Sequence, residues 1–203
     1  ASGDAIRSTL RILGSCAIVR VALRFPAMKT YIALLRGINV GGRRLLPMKD
    51  LVRILEGLGF AGVKTYIQSG NVVFQSARPK TARMAGEISA AIMKSHGFAP
   101  EVMLLEVADL QKAVDNNPFG EAEGTALHLL FFEQQPAKPD PKGLTALKSK
   151  SEEFKLDKTV FYLHTPDGFG RSRLAAGVER GLGVPVTARN WNTVNKLLSM
   201  AMQ

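Results

Sequence analysis

The chain has little of what builds metal sites and disulfides. A single cysteine, Cys16, excludes an internal disulfide and points to a reducing, cytoplasmic setting. The three histidines, His96, His128 and His164, stand far apart, and no metal-ligand spacing results, so no metal and no cofactor are expected. No uninterrupted apolar run approaches the roughly 18 residues needed to cross a bilayer, which excludes a membrane-spanning helix. Acids are scarce too: 17 Asp and Glu stand against 27 Lys and Arg, a formal charge of +10.

What is present reads as a folded protein of one large or two small domains. Hydrophobic residues make up 46% and charged residues 22% of the 203 residues. Residues 1–27 contribute +3 of the charge, four arginines against Asp4, and leave +7 for the rest. That balance fits an anionic partner, a small molecule or a nucleic acid, and equally a solvated basic surface. The same 27 residues lack turn chemistry, and Met28-Lys29-Thr30-Tyr31 reads as a natural start. They are expected to form an extension outside the fold.

From Lys29 the pattern is regular. Tyr31–Leu35 reads as a strand and Met48–Leu58 as a helix stopped by Gly59. Lys64–Gln68 and Val72–Gln75 read as strands joined by Ser69-Gly70-Asn71, with the glycine where positive φ is useful. Thr81–Ser95 is a helix, Glu101–Glu106 a strand, and Asp109 caps a short helix. This β-α-β-β-α-β order recurs. Leu127–Glu133, a weak helix at Gly143–Lys150, Phe154–Leu156, Thr159–Leu163, a helix at Ser172–Leu182 and Val184–Ala188 repeat it, and Asn192 caps a last helix. The ends of the halves align without gaps, Val102–Val114 on Val186–Leu198. The expected fold is therefore α+β, a tandem duplicated ferredoxin-like protein with antiparallel sheets. Its units are expected at residues 28–117 and 124–203.

In a sheet of order 4-1-3-2, the first β-α loop and the hairpin turn share one end. Arg36-Gly37-Ile38-Asn39-Val40-Gly41-Gly42-Arg43-Arg44 should then neighbour Ser69-Gly70-Asn71. Gly37 and Gly42 have phosphate-loop spacing, but Arg43-Arg44 replaces the required Lys-Ser or Lys-Thr, so the hydroxyl that would hold Mg²⁺ is missing. A nucleotide triphosphatase or dinucleotide enzyme is not expected on that ground, while backbone N–H groups near the start of the Met48 helix could still take a phosphate or carboxylate. In the second unit, Gly170-Arg171-Ser172-Arg173 opens a helix with two cations and a hydroxyl. Arg189-Asn190-Trp191-Asn192 leaves a strand with the only tryptophan, which could stack on a base or plug the core. The apolar first strand argues that both sheet faces are covered, against an open base-stacking platform.

These strings resemble a bacterial family, domain of unknown function sixteen-ninety-seven. The resemblance is carried by Tyr31 to Gly42, Thr65 to Phe74, Gly168 to Arg173 and Thr187 to Val194. It implies a two-unit α+β fold and brings no activity with it. The candidate binding residues are Arg36, Gly37, Asn39, Gly41, Gly42, Ser69, Asn71, Arg171, Ser172, Arg173, Arg189, Asn190, Trp191 and Asn192. No Ser/His/Asp order and no paired carboxylates stand among them, which leans toward binding of an anionic small molecule or nucleic-acid backbone. An enzyme acting on a phosphorylated or carboxylated substrate is one alternative. A structural module whose polar strings fix turns and the contact between units is the other.

Overall fold

The computed structural model describes residues 27–120, 122 and 124–203. The expected extension, with Cys16 in it, lies outside the described residues except for Ala27.

The first strand, β1 (Lys29–Arg36), sets the architecture. Tyr31 to Leu35 are each at most 1% exposed. Successive side chains of a strand point to opposite faces, so a run buried at every position must be covered on both. Tyr31, Ala33 and Leu35 pack against α1 (Met48–Gly57) and α2 (Ala82–His96). Ile32 and Leu34 face the other way, onto α3 (Val107–Asp115) and a helix from the far end of the chain, α6 (Trp191–Ala201). With β2 (Ala61–Tyr66), β3 (Asn71–Ser76) and β4 (Glu101–Glu106), β1 forms an antiparallel sheet of order β2-β3-β1-β4.

The second sheet has the corresponding order β6-β7-β5-β8. Its strands are β5 (Leu127–Phe131), β6 (Glu153–Leu156), β7 (Val160–His164) and β8 (Thr187–Asn190). Leu130, Phe161 and Leu163 pack on α4 (Pro141–Leu147) and α5 (Arg173–Leu182), while Leu129, Phe131 and Tyr162 face α3 and α6. The described residues thus form a mixed α+β protein of two four-stranded antiparallel sheets and six α-helices. The helix pair α3 and α6 is sandwiched between the sheets.

That middle layer joins the two halves. It buries Ile32, Leu34, Val73, Met103 and Leu110 of the first against Leu127, Leu129, Phe131, Val194 and Leu197 of the second. At about 1.5–3 kcal/mol per buried side chain, it outweighs any single polar contact. Tyr162 adds a directed one, its hydroxyl donating to the Ala113 carbonyl at 2.9 Å. Burial, with a smaller effect of Asp157, pushes that phenol up to about 12.

Several element ends differ from expectation, each for a local reason. β8 begins at Thr187 rather than Val184, because Pro185 has no N–H to pair. Asn190, not Asn192, caps α6: its side chain accepts from the Thr193 N–H at 2.9 Å. Asp109 sits inside α3, where it reaches back to the N–H of the cap Glu106. Asp140 caps α4, which stops at Leu147. β2 stops at Tyr66 because Ile67 turns left-handed, φ 47°.

Candidate functional site

The glycine-rich segment after β1 is a finger. The Asn39 N–H donates to the Arg44 carbonyl and the Arg43 N–H to the Val40 carbonyl, both at 3.1 Å. Gly41 (φ 58°) and Gly42 (φ 70°) fill the two central positions of this turn, the geometry of a tight two-residue hairpin. A Cβ at either would meet nothing within 4 Å, so the tip stands in open space. Two amides of the expected anion cradle, those of Asn39 and Arg43, are spent on the hairpin. Leu45, Leu46 and Pro47 separate the finger from α1, and Asp50 places a negative charge in the first turn of that helix, where an anion would have to sit.

Asn39 clamps the finger to the body. Its amide donates to the carbonyls of Leu46 (3.0 Å) and Gln68 (2.8 Å) and accepts from the Leu46 N–H (2.8 Å). The finger and the β2–β3 turn are neighbours, as the topology requires. Gly70 makes that closeness workable. Its φ is +73°, and a Cβ there would lie 2.6 Å from Leu35 Cβ and 2.9 Å from Ile38 Cδ1.

Beneath the finger, the predicted strings of both halves meet. Arg189, on the inward face of β8, crosses to the end of β1. Its guanidinium donates to the carbonyls of Leu35 (2.7 Å), Ser69 (3.0 Å) and Ala188 (2.8 Å) and to the Asn71 side chain. Asn71, fully buried, donates in turn to Ser69 Oγ (2.8 Å) and the Tyr66 carbonyl (3.2 Å). No carboxylate takes part. Burial lowers the Arg189 pKa to about 10, so it stays charged at neutral pH inside a ring of neutral acceptors.

Arg36 is committed as well. It bridges Glu101 at 3.0 Å and Glu179 of α5 at 2.6 Å. Burial opposes its charge, but the bond to Glu179 and the charges of both glutamates outweigh this and raise its pKa. A wide groove of about 560 Å³ runs beside it, walled by Ala176, Arg180, Gly183 and Pro185 of α5 and the loop after it.

The remaining candidates do not join this node. Ser172 caps α5, accepting from the Ala175 N–H at 2.9 Å. Arg171 and Arg173 are exposed and make no ion pair among the described residues. Trp191 packs against the middle layer as a plug, and Asn192 sits against Gly124, where a Cβ would collide with it. His128 stacks on Phe169 at 4.1 Å; burial lowers its pKa and its Nδ1 has no hydrogen-bond partner among the described residues. No group of three or more His, Cys, Asp or Glu among the described residues could hold a metal ion. A cleft of about 280 Å³ opens elsewhere, along the free edge of β4, between Met103 to Leu105 and Phe131 to Glu133.

Sequence reasoning missed what surrounds the finger. Val40 is 67% exposed, Leu45 63% and Ile67 53%, and they stand on the two loops that Asn39 ties together. Arg43 and Arg44 are exposed without a carboxylate partner among the described residues, and the Arg44 guanidinium lies over Gly37. Ile67, a β-branched residue held at φ 47°, costs about 1–2 kcal/mol relative to a residue that accepts the left-handed region. A detectable signal exists: residues 57–86 contain no Asp or Glu, and residues 36–49 carry four cations and no acid.

Fold and site together define a two-sheet α+β protein whose halves are locked by a buried arginine and which extends a basic finger. The chain belongs to the family described as protein of unknown function (DUF1697), whose model matches residues 28–162. The strings at 168–173 and 187–194 lie beyond that match. Among solved structures it is similar to the conserved bacterial protein SP0830 from Streptococcus pneumoniae, at 26% identity and a TM-score of 0.66, covering 86% of this chain and 99% of that one. No curated protein matches it.

Proposed function

We propose that this protein binds an anionic ligand, a small molecule or a nucleic-acid backbone, on Arg43 and Arg44 of the finger. One observation carries the reading. Among the arginines around the finger, Arg36 and Arg189 are spent within the protein, whereas Arg43 and Arg44 are held out on a clamped hairpin without a counter-charge among the described residues. Gly37, Gly41 and Gly42 shape the finger, and Asn39, Ser69 and Asn71 hold it. Arg171 and Arg173 add exposed charge in the second half, while Asn190, Trp191 and Asn192 serve the start of α6. The protein is read as cytoplasmic, and as two ferredoxin-like units, residues 28–117 and 124–203, in which the order β-α-β-β-α-β occurs twice. Residues 1–27 are read as an extension of that pair.

A melting screen with nucleotides, sugar phosphates and inorganic tripolyphosphate tests the reading. Stabilising compounds are expected to lose their effect on Arg43→Ala/Arg44→Ala, and a hit that survives the double substitution sinks the proposal. Turnover of a hit by the intact protein would move the case to an enzyme. A second reading, a structural module, is favoured by the saturated guanidinium of Arg189. A screen without hits would select it.

A further inference from the structure

We infer that the finger is a minor-groove reader of double-stranded DNA, which rests on the anion-binding reading above and names its ligand. Two glycines form the tip, so only backbone enters where the groove is narrowest, about 6 Å wide. Arg43 and Arg44 follow that tip on one arm of the hairpin, exposed and without a carboxylate partner among the described residues, and bring positive charge to the phosphates and to the negative potential of the groove. The groove walls are deoxyribose, which is largely apolar. Val40, Leu45 and Ile67 are exposed aliphatic side chains on the two loops at the finger, able to meet such walls.

Charge complementarity extends past the finger, since neither of its two loops contains an acid. Ile67 gives the sharpest argument. The folded protein gains nothing from an exposed isoleucine in a left-handed turn, where asparagine would be less strained and better solvated. A contact made by its side chain accounts for its presence. The covered faces of both sheets leave no stacking platform, so duplex rather than unpaired strand is the matching form.

The test measures anisotropy of a short, labelled A·T-rich duplex with the full chain, across a salt series. Binding should weaken steeply with salt. Arg43→Ala/Arg44→Ala should lower the slope of log affinity against log salt by about two and cost roughly tenfold or more in affinity. Ile67→Asn should weaken duplex binding several-fold while raising the melting temperature, a pair of changes that a merely structural residue would not give. A minor-groove drug should compete. The inference is overturned if Ile67→Asn leaves duplex affinity unchanged, if the drug does not compete, or if vesicles of anionic phosphatidylglycerol bind more tightly than duplex. Binding of tripolyphosphate through Arg43 and Arg44 with no duplex binding overturns it and leaves the anion-binding reading standing. Absence of both removes the two together.

Discussion

Arg189 and Arg43 present the same side chain in opposite circumstances. Arg189 is drawn under the finger, with its N–H groups directed at three carbonyls and one amide oxygen, and it joins a strand of the second sheet to the end of β1. The Arg43 side chain, on the finger, is exposed and makes no ion pair among the described residues. The first serves the fold at the cost of a lowered pKa; the second keeps its charge for something outside. Arginine in a polar loop string is therefore no sign of a ligand until its donors are counted. Here the count separates a frame from a surface.

Substitutions can break this distinction or sharpen it. Arg189→Met should cost about 3–4 kcal/mol, because it leaves buried acceptors at Leu35, Ser69 and Asn71 unpaired. Denaturant unfolding measures this, and a loss below about 1 kcal/mol would show that the node is not structural. Gly70→Ala should cost about 2–3 kcal/mol, since the new Cβ meets Leu35 and Ile38 at a positive φ. It should also disturb the finger that rests on that turn.

Tyr162→Phe should cost about 1 kcal/mol for the lost bond to Ala113. The folded phenol keeps its proton to about pH 12, whereas an unfolded tyrosine releases it near 10. Between those values the unfolded state binds fewer protons, so wild-type stability falls as pH rises. The advantage of the wild type over Tyr162→Phe should therefore shrink above pH 10, and parallel curves there would refute the burial of this hydroxyl. The smallest effect belongs to the finger: Arg43→Ala/Arg44→Ala should move stability by no more than about 0.5 kcal/mol.

The sequence carried the element order of both halves and the adjacency of the finger to the β2–β3 turn. It did so because hydrophobic period and turn residues are local. The buried run Tyr31–Leu35 also told, correctly, that both faces of the first sheet are covered. What could not be read was which donors meet which acceptors. The partners of Arg189 in the first half lie 118 to 154 positions away, and Glu179 lies 143 from Arg36, so only the packing of the two sheets sets them. Glycine spacing is shared by anion cradles and tight hairpins, so the spacing alone does not reveal the finger. The Val-Gly-Gly-Arg order, a two-residue hairpin signal, was the better clue.

The most direct test of the division between frame and surface is a melting experiment on three proteins, with and without inorganic tripolyphosphate. Wild type should be stabilised by the anion. Arg189→Met should melt far lower yet still gain from it wherever it remains folded, and Arg43→Ala/Arg44→Ala should melt like wild type and gain nothing. A double variant that keeps the full anion-induced shift would show that Arg43 and Arg44 are not the binding surface.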